Sequence, residues 1–138
     1  MRRNLIFDEN AVVEVTKEVL FDSCHKLYDY IGKCSRPHGH TYKLQVTIKG
    51  TVDDLGMVLD FNTLKHILNN EVVEELDHYN LNDKFDFNTT AENMVVYLYY
   101  ALNKSLALKT NGDRPLEVVK VRLWETPTSY ATFRGEEV

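Results

Sequence analysis

Residues 40–50, HTYKLQVTIKG, alternate strictly, with Tyr42, Leu44, Val46 and Ile48 on one face. A period of two does not fit a helix; it defines a strand with one apolar face and one solvated or lined face. Such a strand has to pair with neighbours, and its apolar face has to be covered. Residues 11–24, AVVEVTKEVLFDSC, are rich in Val and Phe with partial alternation and read as a second strand. Between the two, residues 25–39 place Gly32, Pro37 and Gly39 among polar and aromatic residues and read as a loop.

The rest of the chain supplies the cover. After the turn-like TVDDLG, GMVLDF (56–61) reads as another short strand or extended segment. Asn62 reads as a helix N-cap, and Leu64, Ile67, Leu68 and Val72 follow at helical spacing, for a helix of about 12–15 residues. LDHYNLND (76–83) is polar and irregular. Thr89 and Glu92 form a capping-box pattern ahead of a long helix over about 90–108, with Met94, Val95, Leu98, Leu102 and Leu106 as its stripe. TNGDRP (110–115) is the strongest turn signal; LEVVKVRLWET (116–126) and SYATFR (129–134) read as strands. The order strand, strand, helix, helix, strand, strand predicts the α+β class: an antiparallel four-stranded sheet with two helices packed on one face. No repeat or linker interrupts residues 1–138, which read as a single domain, with 1–10 as the one candidate N-terminal extension.

Composition narrows the function classes. Apolar residues at 43% and charged residues at 27% give an ordinary globular balance, not a disordered one. A net charge of −5 argues against broad nucleic-acid binding, though not against a local cationic pocket. No apolar run approaches the ~20 residues of a membrane helix, and MRRNLIFDENA does not read as a secretory signal. Two cysteines, Cys24 and Cys34, are too few for a disulfide framework, and without an export signal both are expected as free thiols in a reducing cytoplasm.

The histidines carry the clearest chemistry. His38 and His40 open a strand at i and i+2, so they share a face and can share one metal ion. His25 closes the preceding strand and can bring a third nitrogen. Three His ligands with no obvious fourth suggest a zinc site with an open, catalytic position. Cys34 reads in three ways: an inert thiol, a thiolate favoured by Lys33 and Arg36, or a zinc ligand. Cys24 faces away from His25 on its strand and is expected in the core. Asp77-His78 can act as an acid/base pair, although adjacent surface Asp and His are common. His66, inside a helix, reads as an ordinary histidine. Glu125, near a strand end, is either solvated or an acceptor for the N–H/NH₂ edge of an amino-heterocycle such as a pterin or guanine.

Taken together, FDSCHKL, C-S-R-P-H-G-H, GMVLDF, LDHYNLN, T-A-E-N and W-E-T-P-T resemble the 6-pyruvoyl-tetrahydropterin synthase / 6-carboxy-tetrahydropterin synthase family, in the family's order, over residues 19 to 133. The resemblance implies the tunnelling fold, assembling through its sheets into homo-oligomeric trimers and hexamers with active sites at subunit interfaces. It implies Zn2+ ligation by His25, His38 and His40, Cys34 as catalytic thiol, Asp77 with His78 as acid/base pair, and Glu125 as pterin anchor. Three residues separate Cys34 from His38, a spacing similar to bacterial 6-carboxy-tetrahydropterin synthases of the queuosine/7-deazapurine route. The implied activity is a lyase reaction: 7,8-dihydroneopterin triphosphate to 6-carboxy-5,6,7,8-tetrahydropterin, releasing triphosphate and acetaldehyde. Lys26, Lys33 and Arg36 are candidates for the triphosphate. The alternatives are a 6-pyruvoyl-tetrahydropterin synthase, a relative acting on another pterin or purine, and a non-catalytic domain in which zinc organises a loop. Neither nucleic acid nor a membrane is an expected partner.

Overall fold

The structure is a computed structural model that describes residues 5–109 and 114–136. In chain order the elements are β1 (Val12–His25), β2 (His38–Thr51), α1 (Phe61–Leu68), α2 (Glu74–Leu76), β3 (Tyr79–Asn80), α3 (Leu81–Lys84), α4 (Ala91–Lys109), β4 (Glu117–Thr126) and β5 (Ser129–Phe133). A 3₁₀ turn, Lys33–Ser35, lies in the β1–β2 loop, and a π turn, Asn69–Val73, joins α1 to α2.

β1 and β2 pair antiparallel along their whole length, from Val12 opposite Thr51 to His25 opposite His38. β4 pairs with β2 and β5 with β4, both antiparallel, giving the order β3-β1-β2-β4-β5. The sheet is therefore five-stranded and mixed, not the four-stranded antiparallel sheet expected. The extra strand, β3, is two residues that run parallel to Ser23 and Cys24. It lies in the stretch expected to be irregular, because two residues carry no readable period. Its docking is polar: the His78 N–H donates to the Asp22 carbonyl (2.6 Å), and the Ser23 hydroxyl donates to the Leu76 carbonyl (2.5 Å).

The apolar faces meet as the alternation requires. Phe21, Tyr42, Leu44, Val46, Ile48, Val121 and Leu123 from the sheet form one cluster with Leu64, Ile67, Leu68 and Val72 from the first helical run and Met94, Leu98, Leu102 and Leu106 from α4. Both long helical runs thus cover one sheet face. The other face keeps Val12, Leu20 and Tyr130 exposed. Cys24 belongs to that outer face and is half-buried, not in the core. It does face away from His25, but His25, with Phe21 and Ser23, holds the core side.

Three local expectations also shift. GMVLDF forms no strand; the turn-like TVDDLG ahead of it is closed by Asp53, which accepts from the Leu55 and Met57 N–H groups at 2.9 and 3.0 Å. The first helix is capped by Asp60, which accepts from the Asn62 N–H (2.7 Å), so Asn62 is already inside the helix. α4 is capped by Thr90, accepting from the Asn93 N–H (3.1 Å), and not by Thr89 with Glu92. Of the TNGDRP turn, residues 110–113 lie outside the described residues, as do residues 1–4 of the candidate extension. Among the described residues no helix is long and apolar enough to cross a membrane.

Lys120 lies opposite Thr47 and Val118 opposite Ile48, so β4 carries one extra residue between them. Asn103 of α4 serves this irregularity: it accepts from the Val118 N–H (2.9 Å) and donates to the Tyr99 carbonyl (3.2 Å). Asn103→Leu is expected to leave that N–H unpaired and cost about 1–3 kcal/mol. The check is a lower urea midpoint at unchanged slope.

Candidate functional site

The core face of the β1–β2 hairpin changes character at its end. Phe21 stacks on Tyr42 at 5.0 Å, and beyond them the same face carries His25, His38 and His40. Ring centroids are 4.6 Å apart for His25–His38, 4.8 Å for His38–His40 and 5.2 Å for His25–His40. One ligand nitrogen from each ring lies within 4.8 Å of the others.

Two of the three rings have their tautomers fixed from outside. His25 Nδ1 lies 2.9 Å from the Thr89 carbonyl and 3.1 Å from its hydroxyl. His38 Nδ1 lies 2.8 Å from the Arg36 carbonyl. A carbonyl only accepts, so both Nδ1 atoms carry a proton, and in the neutral form of each ring Nε2 is the atom with the lone pair. Among the described residues, His25 Nε2 is buried without a hydrogen-bond partner, and so is His40 Nε2, since Glu125 Oε2 at 3.8 Å is beyond hydrogen-bond range. Buried polar atoms ordinarily find partners. Converging imidazoles, two with unpaired buried Nε2 atoms and two backed by a carbonyl on Nδ1, suit metal coordination. Burial holds His25 down to about 4, with further lowering from His38 and His40 against a raising bond from Thr89. Burial, then His38, also lowers His40. These two rings are thus kept neutral, the form that ligates.

Glu125, on β4, brings a carboxylate to the rim of the cluster. Burial, then the nearby Glu92, raises it above the ordinary carboxylate range, while His38 and the Ala91 N–H at the start of α4 pull it back. A cavity of about 410 Å³ opens beside it, lined by Glu125, His40, Lys43, Trp124, Thr126 and Leu20 among others.

Asp77 and His78 sit on the other side of the hairpin. Asp77 accepts from the Asp22 N–H (2.7 Å), and its second oxygen lies 2.9 Å from His78 Nδ1. Those two donors hold the Asp77 carboxyl below its usual range. His78 takes a left-handed φ of 63°, held by its N–H bond to Asp22, and its side chain is 79% exposed. The carboxylate thus keeps the proton on Nδ1 and leaves Nε2 for solvent or a ligand. A second cavity, of about 460 Å³, lies here, lined by Asp22, Cys24, Gly39, His40, Thr41 and His78 among others.

Cys34 stands in the 3₁₀ turn of the β1–β2 loop, half-buried. Its thiol is not part of the three-imidazole group, and it lines neither cavity. Within one chain, the structure gathers the three histidines and Glu125, and Cys34 is not part of the cavity that His78 lines. Lys26, Lys33 and Arg36 are exposed, and His66 lies on α1, away from the cluster, with Nε2 3.1 Å from Asn70.

Sequence reasoning missed Thr89 and Asp22. Thr89 is fully buried and fixes His25; the signal was the tandem Thr89-Thr90, since a helix needs only one N-cap. Asp22 ties the Asp77-His78 pair to β1 and accepts from the Thr41 hydroxyl (2.5 Å). Nothing in the local pattern marks it.

A sequence profile described as 6-pyruvoyl tetrahydropterin synthase matches residues 14–136. The chain is 32% identical to the 6-carboxy-5,6,7,8-tetrahydropterin synthase of Haemophilus influenzae, over 88% of this chain and 98% of that one. It is 35% identical to the 6-pyruvoyl tetrahydrobiopterin synthase of Dictyostelium discoideum, over 92% and 99%. The fold superposes on the 6-pyruvoyl tetrahydropterin synthase of Caenorhabditis elegans with a TM-score of 0.79 at 26% identity, covering 94% of this chain and 100% of that one.

The buried imidazole sets a pH dependence. An unfolded His titrates near 6.5, whereas His25 stays neutral down to about 4. Between those values the unfolded chain binds more protons, so the metal-free protein loses stability as pH falls, by about 2 kcal/mol between pH 7 and 5. Urea unfolding at the two pH values is expected to show this loss and to show it reduced in His25→Asn. Equal pH dependence in both proteins would contradict the assignment.

Proposed function

Because the chain belongs to the 6-pyruvoyl tetrahydropterin synthase family of pterin-processing enzymes, we propose that it is a zinc-dependent 6-carboxytetrahydropterin synthase acting on 7,8-dihydroneopterin triphosphate. The products are 6-carboxy-5,6,7,8-tetrahydropterin, triphosphate and acetaldehyde, with one water consumed, the step proper to a queuosine/7-deazapurine route. The observation that carries this reading is the convergence of His25, His38 and His40 with two buried, unpaired Nε2 atoms, one of them 3.8 Å from the Glu125 carboxylate. The three-residue spacing from Cys34 to His38 favours the carboxy over the pyruvoyl branch, since relatives of both kinds are similarly close.

Three converging imidazoles, two of them kept neutral by burial, suit zinc. Held by His25, His38 and His40, a zinc ion would supply Lewis-acid chemistry toward the substrate's side-chain hydroxyls. The chain's own residues do the rest. Glu125, at the mouth of its cavity, presents two oxygens to the amino and ring N–H groups of the pterin. Cys34, as thiolate, takes the carbon-bound proton as general base. Asp77 holds the His78 proton on Nδ1, so Nε2 can accept or return a proton on the exposed side. Lys26, Lys33 and Arg36 meet the triphosphate from the loop. In this reading Cys34 and His78 complete a site across subunits of a homo-oligomer, a trimer or hexamer built through the sheet. The uncovered outer face of the sheet supports that assembly.

Anaerobic incubation of the zinc-loaded protein with 7,8-dihydroneopterin triphosphate, read by mass spectrometry, is expected to give the carboxy-pterin. A pyruvoyl-pterin would move the chain to the other branch, and no product would contradict the reading. Cys34→Ala is expected to keep zinc and lose turnover by about 10²–10⁴, with Cys24→Ala close to normal. Loss of zinc in Cys34→Ala would instead make the thiol a ligand. Glu125→Gln turns one acceptor into a donor and is expected to weaken substrate binding roughly tenfold to a hundredfold, read by Trp124 fluorescence. Unchanged affinity would remove the anchor role.

A further inference from the structure

The loop that carries Cys34 is clasped by two asparagine side chains from a different part of the chain. β1 ends at His25, and the next three residues leave the sheet without a strand partner. Asn82, in α3, accepts from the Lys26 N–H (2.8 Å) and donates to the Lys26 carbonyl (3.1 Å). Asn88 does the same for Tyr28, at 3.0 and 3.4 Å. Between them, the Leu27 N–H donates to the Cys34 carbonyl (2.8 Å).

A primary amide carries the same donor and acceptor as a peptide group, so each asparagine acts as a two-point partner for one loop residue. Both clasps are themselves anchored. The Asn82 N–H donates to the Asn80 side chain (3.0 Å), and the Asn88 carbonyl accepts from the Asn93 side chain of α4 (2.8 Å). The residue on each side of Leu27 is therefore fixed, and Leu27 fixes Cys34. Four side-chain bonds thus converge on the two residues flanking Leu27, whose N–H donates to the Cys34 carbonyl.

We propose that Asn82 and Asn88 are positioning residues that hold the Cys34 turn in place relative to the histidine cluster. The proposal rests on the reading of Cys34 as the catalytic base. Its consequence is kinetic, because displacing a reacting group by about 1 Å costs on the order of 10²-fold in rate.

The test uses the full-length zinc protein in a Cys24→Ala background, where Cys34 is the sole thiol. The readouts are the rate of Cys34 alkylation by iodoacetamide, kcat, KM and zinc content. Asn82→Ala and Asn88→Ala are each expected to speed alkylation about fivefold or more. They should lower kcat about 10- to 100-fold while KM and zinc content stay near the parent's. Parent-like alkylation and kcat in both variants would overturn the proposal. So would a kcat loss that tracks zinc loss, since the effect would then run through His25. Should the alanine variants not fold, Asn82→Asp and Asn88→Asp keep the acceptor and lose the donor. Smaller changes of the same sign support the clasp, and parent-like values overturn it. If Cys34→Ala proves fully active, the catalytic reading falls, and the alkylation rates alone still decide whether the asparagines hold the turn.

Discussion

Everything at the site depends on the register of one ladder. β1 and β2 pair over fourteen residues each, and the last pair is His25 with His38. A slip of one residue would turn one strand's imidazoles to the outer face and disperse the cluster. The register is held on both faces. On the core side Phe21 stacks on Tyr42. On the outer side the Thr16 and Thr47 hydroxyls lie 2.7 Å apart, and Gln45 donates to Glu18 at 2.8 Å. The strand pairing thus does for the three imidazoles what a loop could not: it fixes their relative places before any ion arrives.

Burying these imidazoles costs stability, and the surrounding structure offsets it unevenly. The ring nitrogens that point outward are satisfied by Thr89 and Arg36. The inward Nε2 atoms of His25 and His40 are not. The unsatisfied atoms lie side by side, with the Glu125 carboxylate at the rim. Such a concentration of unmet bonding is the physical mark of a place built to receive something. The Asp22–Asp77–His78 knot differs in kind: its polar groups bond one another, and it presents a largely exposed imidazole outward.

The sheet, the two helical runs and the histidine cluster were legible because period-two and helical spacing are regular signals, and H-x-H on a strand has only one geometry. The alternation in residues 40–50 placed Tyr42, Leu44, Val46 and Ile48 correctly. What failed was local and polar. Asp60, not Asn62, caps α1, because either residue type can cap and only the tertiary position of the turn decides. Thr89 was read as a cap when Thr90 serves, freeing Thr89 for His25. β3 was invisible, since a two-residue bridge is specified by its partner, Ser23–Cys24, and not by its own pattern. Cys24 was placed on the right side relative to His25 but the wrong side relative to the core, because the strand's alternation does not say which face the helices cover. The residues themselves left the roles of Cys34, His78 and Glu125 open between a bland and a functional reading, and it was resemblance that singled out one role for each. The structure adds that the cavity beside His78 does not include Cys34.

Three imidazoles fixed by strand register are proposed to form one metal centre. The decisive measurement is metal analysis after zinc loading and dialysis, comparing the parent chain with His38→Ala/His40→Ala. One zinc per chain is expected in the parent and none above background in the double variant, with the variant still folded, because the apolar core does not depend on the ion. One equivalent of zinc retained by a folded double variant would contradict it.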